Sequence, residues 1–155
     1  MLSEDVLKEL AEIAASNDLM VISDEVYERL IYDGAKHISI ASLPGMKERT
    51  FTMNGMSKAY AMDGWRLGYV AAPEEYILVM NKFHQHNTTC APNFVQAAAI
   101  AALNEEGDEV NEMVKEYRRR RDYAVKAINE IPGLHCECPK GAFYIFINCK
   151  SLNMK

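Results

Sequence analysis

An amphipathic segment followed directly by a short apolar run is the feature that most restricts the fold of this chain. Ser3 precedes two carboxylates, which is a helix-start signal, and apolar residues then recur at three- and four-residue spacing. Asn17 and Asp18 end this predicted helix, and residues 19–22 form a continuous apolar run that predicts a strand buried on both faces. A helix followed by a buried strand is typical of an α/β fold. Further predicted strands at 50–53 and 68–72 continue the pattern.

Polar residues follow the predicted strands at the positions where α/β sheets bind ligands. Asp24 and Tyr27 come after the first strand, and Ser57 and Lys58 come after the second, among small residues. Arg66 lies between two glycines, eight positions beyond the lysine. A lysine amine attacks carbonyl carbon when burial or nearby cations lower its pKa, and arginine with a serine hydroxyl suits phosphate. Taken singly, each residue would equally fit an ordinary solvated or capping position.

Three motifs taken together resemble the core of the class I/II aminotransferases of the aspartate aminotransferase superfamily. These motifs are Ser23-Asp24-Glu25-Val26-Tyr27, Ser57-Lys58 and Gly64-Trp65-Arg66-Leu67-Gly68-Tyr69. Their order and spacing match jointly, and the likeness extends over nearly the whole chain. The resemblance implies pyridoxal 5'-phosphate as cofactor on the fold type I architecture. Residues 1–113 would be the second half of a three-layer α/β large domain with a mostly parallel sheet. Residues 114–155 would be a bridging helix and the start of a smaller α+β domain.

The resemblance also implies a role for each polar residue. Lys58 would be the catalytic residue, forming a Schiff base with the cofactor aldehyde and later moving a proton at the substrate Cα. Asp24 would pair with the pyridine nitrogen, and Tyr27 would donate to the phenolate oxygen. Ser57 and Arg66 would bind the phosphate. The implied activity is amino-group transfer between an amino acid and a 2-oxo acid, in a homodimer, with a lyase or decarboxylase on the same scaffold as the alternative. Because the chain opens with an acidic helical pattern where a signal peptide would have a basic head and an apolar core, a cytoplasmic location is expected.

The chain departs from the family pattern in two ways. Gly55 stands where many members carry a second serine, which would leave the phosphate site with one hydroxyl fewer. The family's phosphate loop, the aromatic residue that stacks on the cofactor and the arginine that binds the substrate carboxylate have no counterpart in these residues. We therefore expect an internal segment that lacks part of the pocket and does not turn over substrate alone.

Charge and hydrophobicity argue against two classes of partner. The chain has 17 Lys and Arg residues against 22 Asp and Glu residues, a formal net charge of -5, so a nucleic-acid-binding face is not expected. No apolar run approaches the roughly 20 residues that span a bilayer, so a membrane partner is not expected either. Four consecutive arginines at 118–121 are accordingly predicted to lie on a solvated helix that runs from Asp108 to about Ile131.

Cysteines offer the only competing chemistry. Cys136 and Cys138 would face the same side of an extended strand, with Cys149 and His135 nearby in sequence. A zinc site would need a second ligand pair at the appropriate spacing, so no metal ligand is assigned and the cysteines are interpreted as reduced thiols. A non-catalytic interaction module, with metal at Cys136 and Cys138, remains the alternative of a different class. The last predicted strand covers residues 142–147.

Overall fold

A computed structural model of the chain describes residues 1–104 and 107–152. The described residues form both helices and strands, and the predicted α/β class is confirmed. In chain order the elements are α1 (Glu4–Ser16), β1 (Val21–Asp24), β2 (Thr50–Gly55), α2 (Met56–Ala59), β3 (Gly68–Ala71), α3 (Glu74–Asn87), α4 (Asn93–Asn104), α5 (Glu109–Asn129), β4 (His135–Cys136) and β5 (Ile147–Asn148). Short 3-10 turns occur at Ile40–Ser42, Lys47–Arg49, Asp63–Trp65 and Lys150–Leu152.

The chain divides into two compact units. Among the described residues, the first, which we call the sheet unit, comprises residues 2–28 and 37–104. The second, which we call the α5 unit, comprises residues 29–36 and 107–152, together with Met1. The α5 unit is therefore built from two stretches that are distant in sequence. The predicted domain boundary between residues 113 and 114 stays a prediction, and residues 153–155 of the second predicted domain lie outside the described residues.

Helix α1 begins where the sequence predicts. The backbone N–H of Val6 donates to Ser3 Oγ at 3.4 Å, which satisfies one of the unpaired first-turn amides. One face of the helix is buried in the main apolar cluster of the sheet unit, which consists of Leu7, Ala11, Ala14, Ile40 and Met46. Burying a large apolar side chain such as Leu7 contributes about 1.5–3 kcal/mol, so this face attaches the helix to the unit.

The sheet unit contains a three-stranded sheet in the order β1-β2-β3. β1 and β2 are parallel, with Asp24 opposite Met53, whereas β2 and β3 are antiparallel. The described sheet is thus mixed, and the mostly parallel sheet of a complete large domain stays a prediction. The expectation that the first strand is buried on both faces is wrong, because Ile22 is 71% exposed. Alternate side chains of a strand point to opposite faces, and the face of β1 that carries Ile22 and Asp24 is exposed.

Helices α3 and α4 have largely exposed apolar side chains, among them Phe83 and Phe94. Each makes an aromatic contact with another part of the sheet unit. The rings of Phe51 and Tyr76 lie 5.2 Å apart, and those of Trp65 and Phe94 lie 6.0 Å apart. Over the part of the chain that the structure describes, no helix combines the length and apolar character needed to cross a membrane.

The α5 unit ends in irregular backbone where the sequence predicts a strand. Of the predicted strand at 142–147, only residue 147 belongs to β5, so this prediction is wrong. Ala142 has a left-handed φ of 59°, which ends the extended chain there, and residues 143–146 pair with no strand among the described residues. Two hydrogen bonds hold Ala142 in place: its N–H donates to the carbonyl of Leu30 at 2.8 Å, and its own carbonyl accepts from Tyr32 Oη at 2.6 Å.

The run of four arginines on α5 is only partly solvated. Arg118, Arg119 and Arg120 are exposed, as predicted, but Arg121 is 7% exposed. Its position in the helix explains the difference, since Arg121 follows Tyr117 by four residues and therefore lies on the same face, which packs within the unit. The prediction of a solvated run is wrong for Arg121.

Candidate functional site

Parallel pairing of β1 and β2 brings the first two predicted motifs to one edge of the sheet. Asp24 is the last residue of β1, and Lys58 lies on α2, which follows β2 without a gap. The pairing continues one residue beyond β1, where the N–H of Glu25 donates to the carbonyl of Met53 at 2.8 Å. As a result, the Lys58 ammonium nitrogen lies 6.0 Å from the centroid of the Tyr27 ring. The structure therefore brings together two side chains that are 31 residues apart in sequence.

Ser57 and Lys58 occupy the accessible side of a one-turn helix. Met56 and Ala59, three residues apart on α2, are both buried, and the two residues between them are half-buried. Tyr27 is also half-buried, whereas Asp24 is exposed. The Asp24 carboxylate accepts from the N–H of Val26 at 3.2 Å, which fixes its orientation at the start of the turn. The ends of two neighbouring strands thus carry an amine and a hydroxyl after β2, and a carboxylate and a phenol at and after the end of β1.

Two glycines allow the backbones of β2 and β3 to approach each other closely next to this site. Gly55 pairs with Gly68 between β2 and β3, and the N–H of Met56 donates to the carbonyl of Leu67 at 3.1 Å. A Cβ atom on Gly55 would lie 3.1 Å from the Leu67 oxygen, and one on Gly68 would lie 3.0 Å from the Asn54 oxygen. Both distances are shorter than ordinary carbon–oxygen contacts. The absence of a serine at position 55 therefore has a packing cause.

Arg66 extends from a turn with an unusual backbone conformation. It follows the Asp63–Trp65 turn with φ 55° and ψ 45°, a left-handed conformation that costs an L-residue roughly 1–2 kcal/mol. Its Nη1 donates to the Asp63 carbonyl at 2.7 Å, and its side chain is exposed. The structure therefore places Arg66 on the loop after Lys58, with its guanidinium held by its own turn.

Glu25, next to Asp24, is a buried carboxylate to which the sequence analysis assigned no role. It is 6% exposed. Its Oε1 accepts from Ser23 Oγ at 2.9 Å and from Ser39 Oγ at 2.7 Å, and its Oε2 lies 2.8 Å from His37 Nε2. The only sequence signal was an acidic residue directly after an apolar strand, because His37 and Ser39 come after a turn-rich loop whose path the sequence does not define.

A second acidic residue lies beside this network. The ligand-capable atoms of Glu25, Glu28 and His37 all lie within 4.8 Å of one another. The pKa of the Tyr69 hydroxyl on β3 is raised, chiefly by burial. The nearby Glu28, Tyr60 and Glu25 raise this pKa further. Tyr69 therefore stays protonated and neutral over the physiological pH range.

Cys136 and Cys138 do not form the same-face pair that was predicted. β4 ends at Cys136, which is 3% exposed, whereas Cys138 is exposed beyond the strand, so the expectation of two thiols on one strand face is wrong. The backbone of Cys136 is fixed by Asn129, whose side chain both accepts from its N–H at 2.9 Å and donates to its carbonyl at 3.1 Å. Within residues 1–104 and 107–152, the cysteines belong to no group of three side chains with metal-ligand spacing.

Comparison with known proteins gives consistent matches over the whole chain. A family profile described as aminotransferase class I and II matches residues 1–155. The chain is similar to an aspartate aminotransferase of Pyrococcus abyssi, at 53% identity over 156 residues. It is also similar to aromatic-amino-acid aminotransferase 2 of Thermococcus litoralis, at 51% identity over 156 residues. Each alignment covers 99% of this chain and 40% of the relative.

Solved structures give the same result. An aromatic aminotransferase from Pyrococcus horikoshii superposes with a TM-score of 0.92 at 54% identity, over 95% of this chain and 40% of that chain. An aspartate aminotransferase from Rhizobium meliloti superposes with a TM-score of 0.93 at 39% identity, over 97% of this chain and 38% of that chain. The chain thus spans about 40% of the length of the relatives it matches.

Proposed function

The chain belongs to the aminotransferase class I and II family, and from this membership we propose that it carries the lysine-bearing part of a pyridoxal phosphate site for amino-group transfer between an amino acid and a 2-oxo acid. The observation that carries the proposal is the position of the Lys58 amine, 6.0 Å from the Tyr27 ring at the sheet edge where Asp24 ends β1. A lysine in an ordinary solvated loop would not be expected to place its amine beside a tyrosine ring at the carboxyl end of a parallel strand pair.

The set of donors fits the chemistry of the cofactor. Pyridoxal phosphate has an aldehyde, a phenolate oxygen, a pyridine nitrogen and a phosphate. The sheet unit offers an amine at Lys58, a hydroxyl at Tyr27 and a carboxylate at Asp24, with a hydroxyl at Ser57 and a guanidinium at Arg66 for the phosphate. Each functional group of the cofactor thus has a side chain of complementary chemistry.

Each of these residues performs one step that its chemistry allows. When bound, pyridoxal phosphate supplies a carbonyl carbon that reacts with amines and a ring that withdraws electrons from the substrate Cα. The Lys58 amine would move a proton from the substrate Cα to the C4′ carbon of the cofactor. The Asp24 carboxylate holds a proton on the pyridine nitrogen, and the Tyr27 hydroxyl donates a hydrogen bond to the phenolate oxygen.

Ser57 and Arg66 bind the phosphate in this proposal. The guanidinium of Arg66 has five N–H donors, and its bond to the Asp63 carbonyl uses Nη1, so others can reach phosphate oxygens. The Ser57 hydroxyl adds a neutral donor beside the lysine. A side chain at position 55 would require the Leu67 backbone to shift by a few tenths of an ångström, so glycine there suits the close crossing and leaves the site without the second hydroxyl of the common family pattern.

For the substrates and the assembly, the proposal follows the relatives. Two of them are named as aspartate and aromatic-amino-acid aminotransferases at almost equal identity, so we propose an amino acid with an acidic or aromatic side chain and the matching 2-oxo acid. We further propose a cytoplasmic homodimer, as the resemblance to the family implies.

Trapping of the cofactor on the chain tests the proposal. The purified chain is incubated with pyridoxal phosphate, reduced with borohydride and mapped by mass spectrometry. We expect a pyridoxyl label concentrated on Lys58 and abolished in Lys58→Ala, whereas Lys82→Ala, a change at an exposed lysine of α3, leaves it unchanged. Equal labelling of Lys58 and Lys82 in the wild type would contradict the proposal.

Product analysis separates transfer from other reactions on the same scaffold. Aspartate, phenylalanine and tyrosine are each supplied with 2-oxoglutarate, and oxo acid, carbon dioxide and ammonia are measured. Formation of the matching oxo acid supports amino-group transfer, whereas carbon dioxide or ammonia in its place would indicate a decarboxylase or a lyase. Because the isolated chain is expected to take up the cofactor without steady turnover, the products are measured with chain, cofactor and amino acid in equal amounts, so that a single turnover is detected.

A further inference from the structure

The buried carboxylate of Glu25 is satisfied entirely by other side chains of the sheet unit. Two serine hydroxyls donate to one of its oxygens, and the other oxygen pairs with the His37 imidazole. Burying a carboxylate without such partners is strongly unfavourable, so the network and the buried position depend on each other. None of the roles proposed for the cofactor residues uses this side chain.

The backbone of Glu25 is fixed as firmly as its side chain. Its N–H donates to the Met53 carbonyl at 2.8 Å, and its carbonyl accepts from the N–H of Glu28 at 2.9 Å. The first bond attaches the residue to β2, which leads into the helix of Lys58. The second closes the turn that contains Tyr27. Glu25 therefore lies at the centre of the short segment that carries both Asp24 and Tyr27.

The network also closes the base of a longer loop. His37 and Ser39 lie 12 and 14 residues after Glu25, and both bind its carboxylate. The chain between Glu25 and His37 leaves the sheet unit at residue 29 and returns to it at residue 37. The Glu25 carboxylate thus joins the outgoing and returning ends of the chain within the sheet unit.

We propose that Glu25 is a positioning residue, whose carboxylate network holds the 24–27 turn so that Asp24 and Tyr27 keep a fixed orientation relative to Lys58. The effect on cofactor binding rests on the proposed function, because the residues that Glu25 positions are those proposed to hold the cofactor. In this arrangement the Glu25 carboxylate acts through the side chains of Ser23, His37 and Ser39. Preorganisation of this kind matters because small displacements of binding groups reduce affinity and rate disproportionately.

A measurement without cofactor tests the positioning directly. Amide hydrogen exchange at Val26 and Glu28 is compared with exchange at Thr52 on β2, in the wild type, Glu25→Ala and Glu25→Gln. In Glu25→Ala we expect exchange at Val26 and Glu28 to accelerate about tenfold relative to Thr52. In Glu25→Gln we expect a smaller change, because the amide oxygen can still accept both serine hydroxyls.

Leu7→Ala is the control for general destabilisation, since Leu7 belongs to the buried cluster against α1. It should accelerate exchange at all three amides alike and leave their ratio unchanged. An unchanged ratio in Glu25→Ala would overturn the positioning role.

Cofactor capture then tests the consequence. The pyridoxal phosphate concentration that half-saturates borohydride-trapped labelling of Lys58 should rise about tenfold in Glu25→Ala and be largely restored in Glu25→Gln. Glu48→Ala, the same change at an exposed residue of the sheet unit, should leave it unaltered. If the wild type is labelled at Lys58 and Glu25→Ala requires the same half-saturating concentration of pyridoxal phosphate, the inference is overturned. If the wild type shows no specific labelling of Lys58, the proposed function is overturned instead. The exchange ratios would then still show whether the Glu25 network holds the 24–27 turn.

Discussion

Arg121 and Asp33, 88 residues apart in the sequence, form an ion pair inside the α5 unit, with Arg121 Nη1 2.7 Å from Asp33 Oδ2. The same guanidinium donates to the Pro139 carbonyl at 2.9 Å and lies 4.7 Å from the centroid of the Tyr32 ring. Burial alone would lower the pKa of Arg121, but hydrogen bonds to Asp33 and Asp122 raise it. The buried cation thus connects residues 29–36 with α5 and with the segment that follows it.

Replacement of this arginine should destabilise the chain far more than replacement of its exposed neighbour. We expect Arg121→Ala to lower the free energy of unfolding by about 3 kcal/mol, because it removes hydrogen bonds to charged groups together with the contact to the Tyr32 ring. Arg120→Ala should stay near the wild-type value, since Arg120 is exposed and pairs with Glu116 at the surface. Urea unfolding of both variants measures the difference, and equal values would contradict the importance of the contacts made by the buried Arg121.

The ion pair should also make stability depend on pH in the acid range. The hydrogen bond from Arg121, with the charges of Arg121 and Arg118, holds the pKa of Asp33 below its ordinary value of 3.8. A lowered folded pKa contributes stability that is fully present above the ordinary value and is lost as the pH falls through the folded one. We therefore expect the wild type to exceed Asp33→Asn in stability at neutral pH, with the difference shrinking below about pH 4. Unfolding curves of both proteins across this range provide the test, and a constant difference would rule out titration of Asp33 as the cause.

A serine at position 55 should be tolerated poorly even though it restores a common family residue. Its Cβ would lie 3.1 Å from the Leu67 oxygen and 3.3 Å from the Gly68 Cα, so β3 would have to shift. We expect Gly55→Ser to lower the free energy of unfolding by about 1–3 kcal/mol, as overpacking does elsewhere. Gly64→Ser is the matched control, because a Cβ there meets nothing within 4 Å. Thermal unfolding of both variants should separate them, and similar melting temperatures would be evidence against the steric explanation.

Arg66→Gly should affect backbone strain and phosphate binding in opposite directions. Glycine adopts the left-handed conformation at φ 55° without the penalty of a side chain, so the free energy of unfolding should rise or stay unchanged. Capture of pyridoxal phosphate on Lys58 should weaken at least about tenfold, because charge-assisted hydrogen bonds to the phosphate are lost. Capture of pyridoxal, which lacks the phosphate, should be equal in both proteins. If both compounds lose affinity equally, Arg66 does not act through the phosphate.

The sequence predicted best the elements whose pattern is local. The Ser3 cap, the strand before Lys58 and the glycines around Arg66 all follow from neighbouring residues. The burial of Glu25 and Arg121 depends on partners such as Ser39 and Asp33, whose proximity the tertiary fold creates, so no local pattern predicts it.

Strand predictions failed where the backbone was the deciding factor. The run at 142–147 has the composition of a strand, but Ala142 is left-handed and residues 143–146 pair with no strand among the described residues. For the first strand, the apolar run at 19–22 gave the right element two residues too early and did not predict that Ile22 is exposed. Composition predicts the tendency to form a strand, whereas its limits depend on distant hydrogen bonds.

The discontinuous make-up of the α5 unit has a consequence for synthesis on the ribosome. Tyr32 and Asp33 are translated before their partners Ala142 and Arg121, which follow 110 and 88 residues later. The sheet unit has all its described strands once residue 71 has been added, so its folding can begin before the α5 unit has its second stretch. During that interval residues 29–36 lack their hydrogen bonds to Ala142 and Arg121, so the α5 unit is completed only after the strands of the sheet unit have been made.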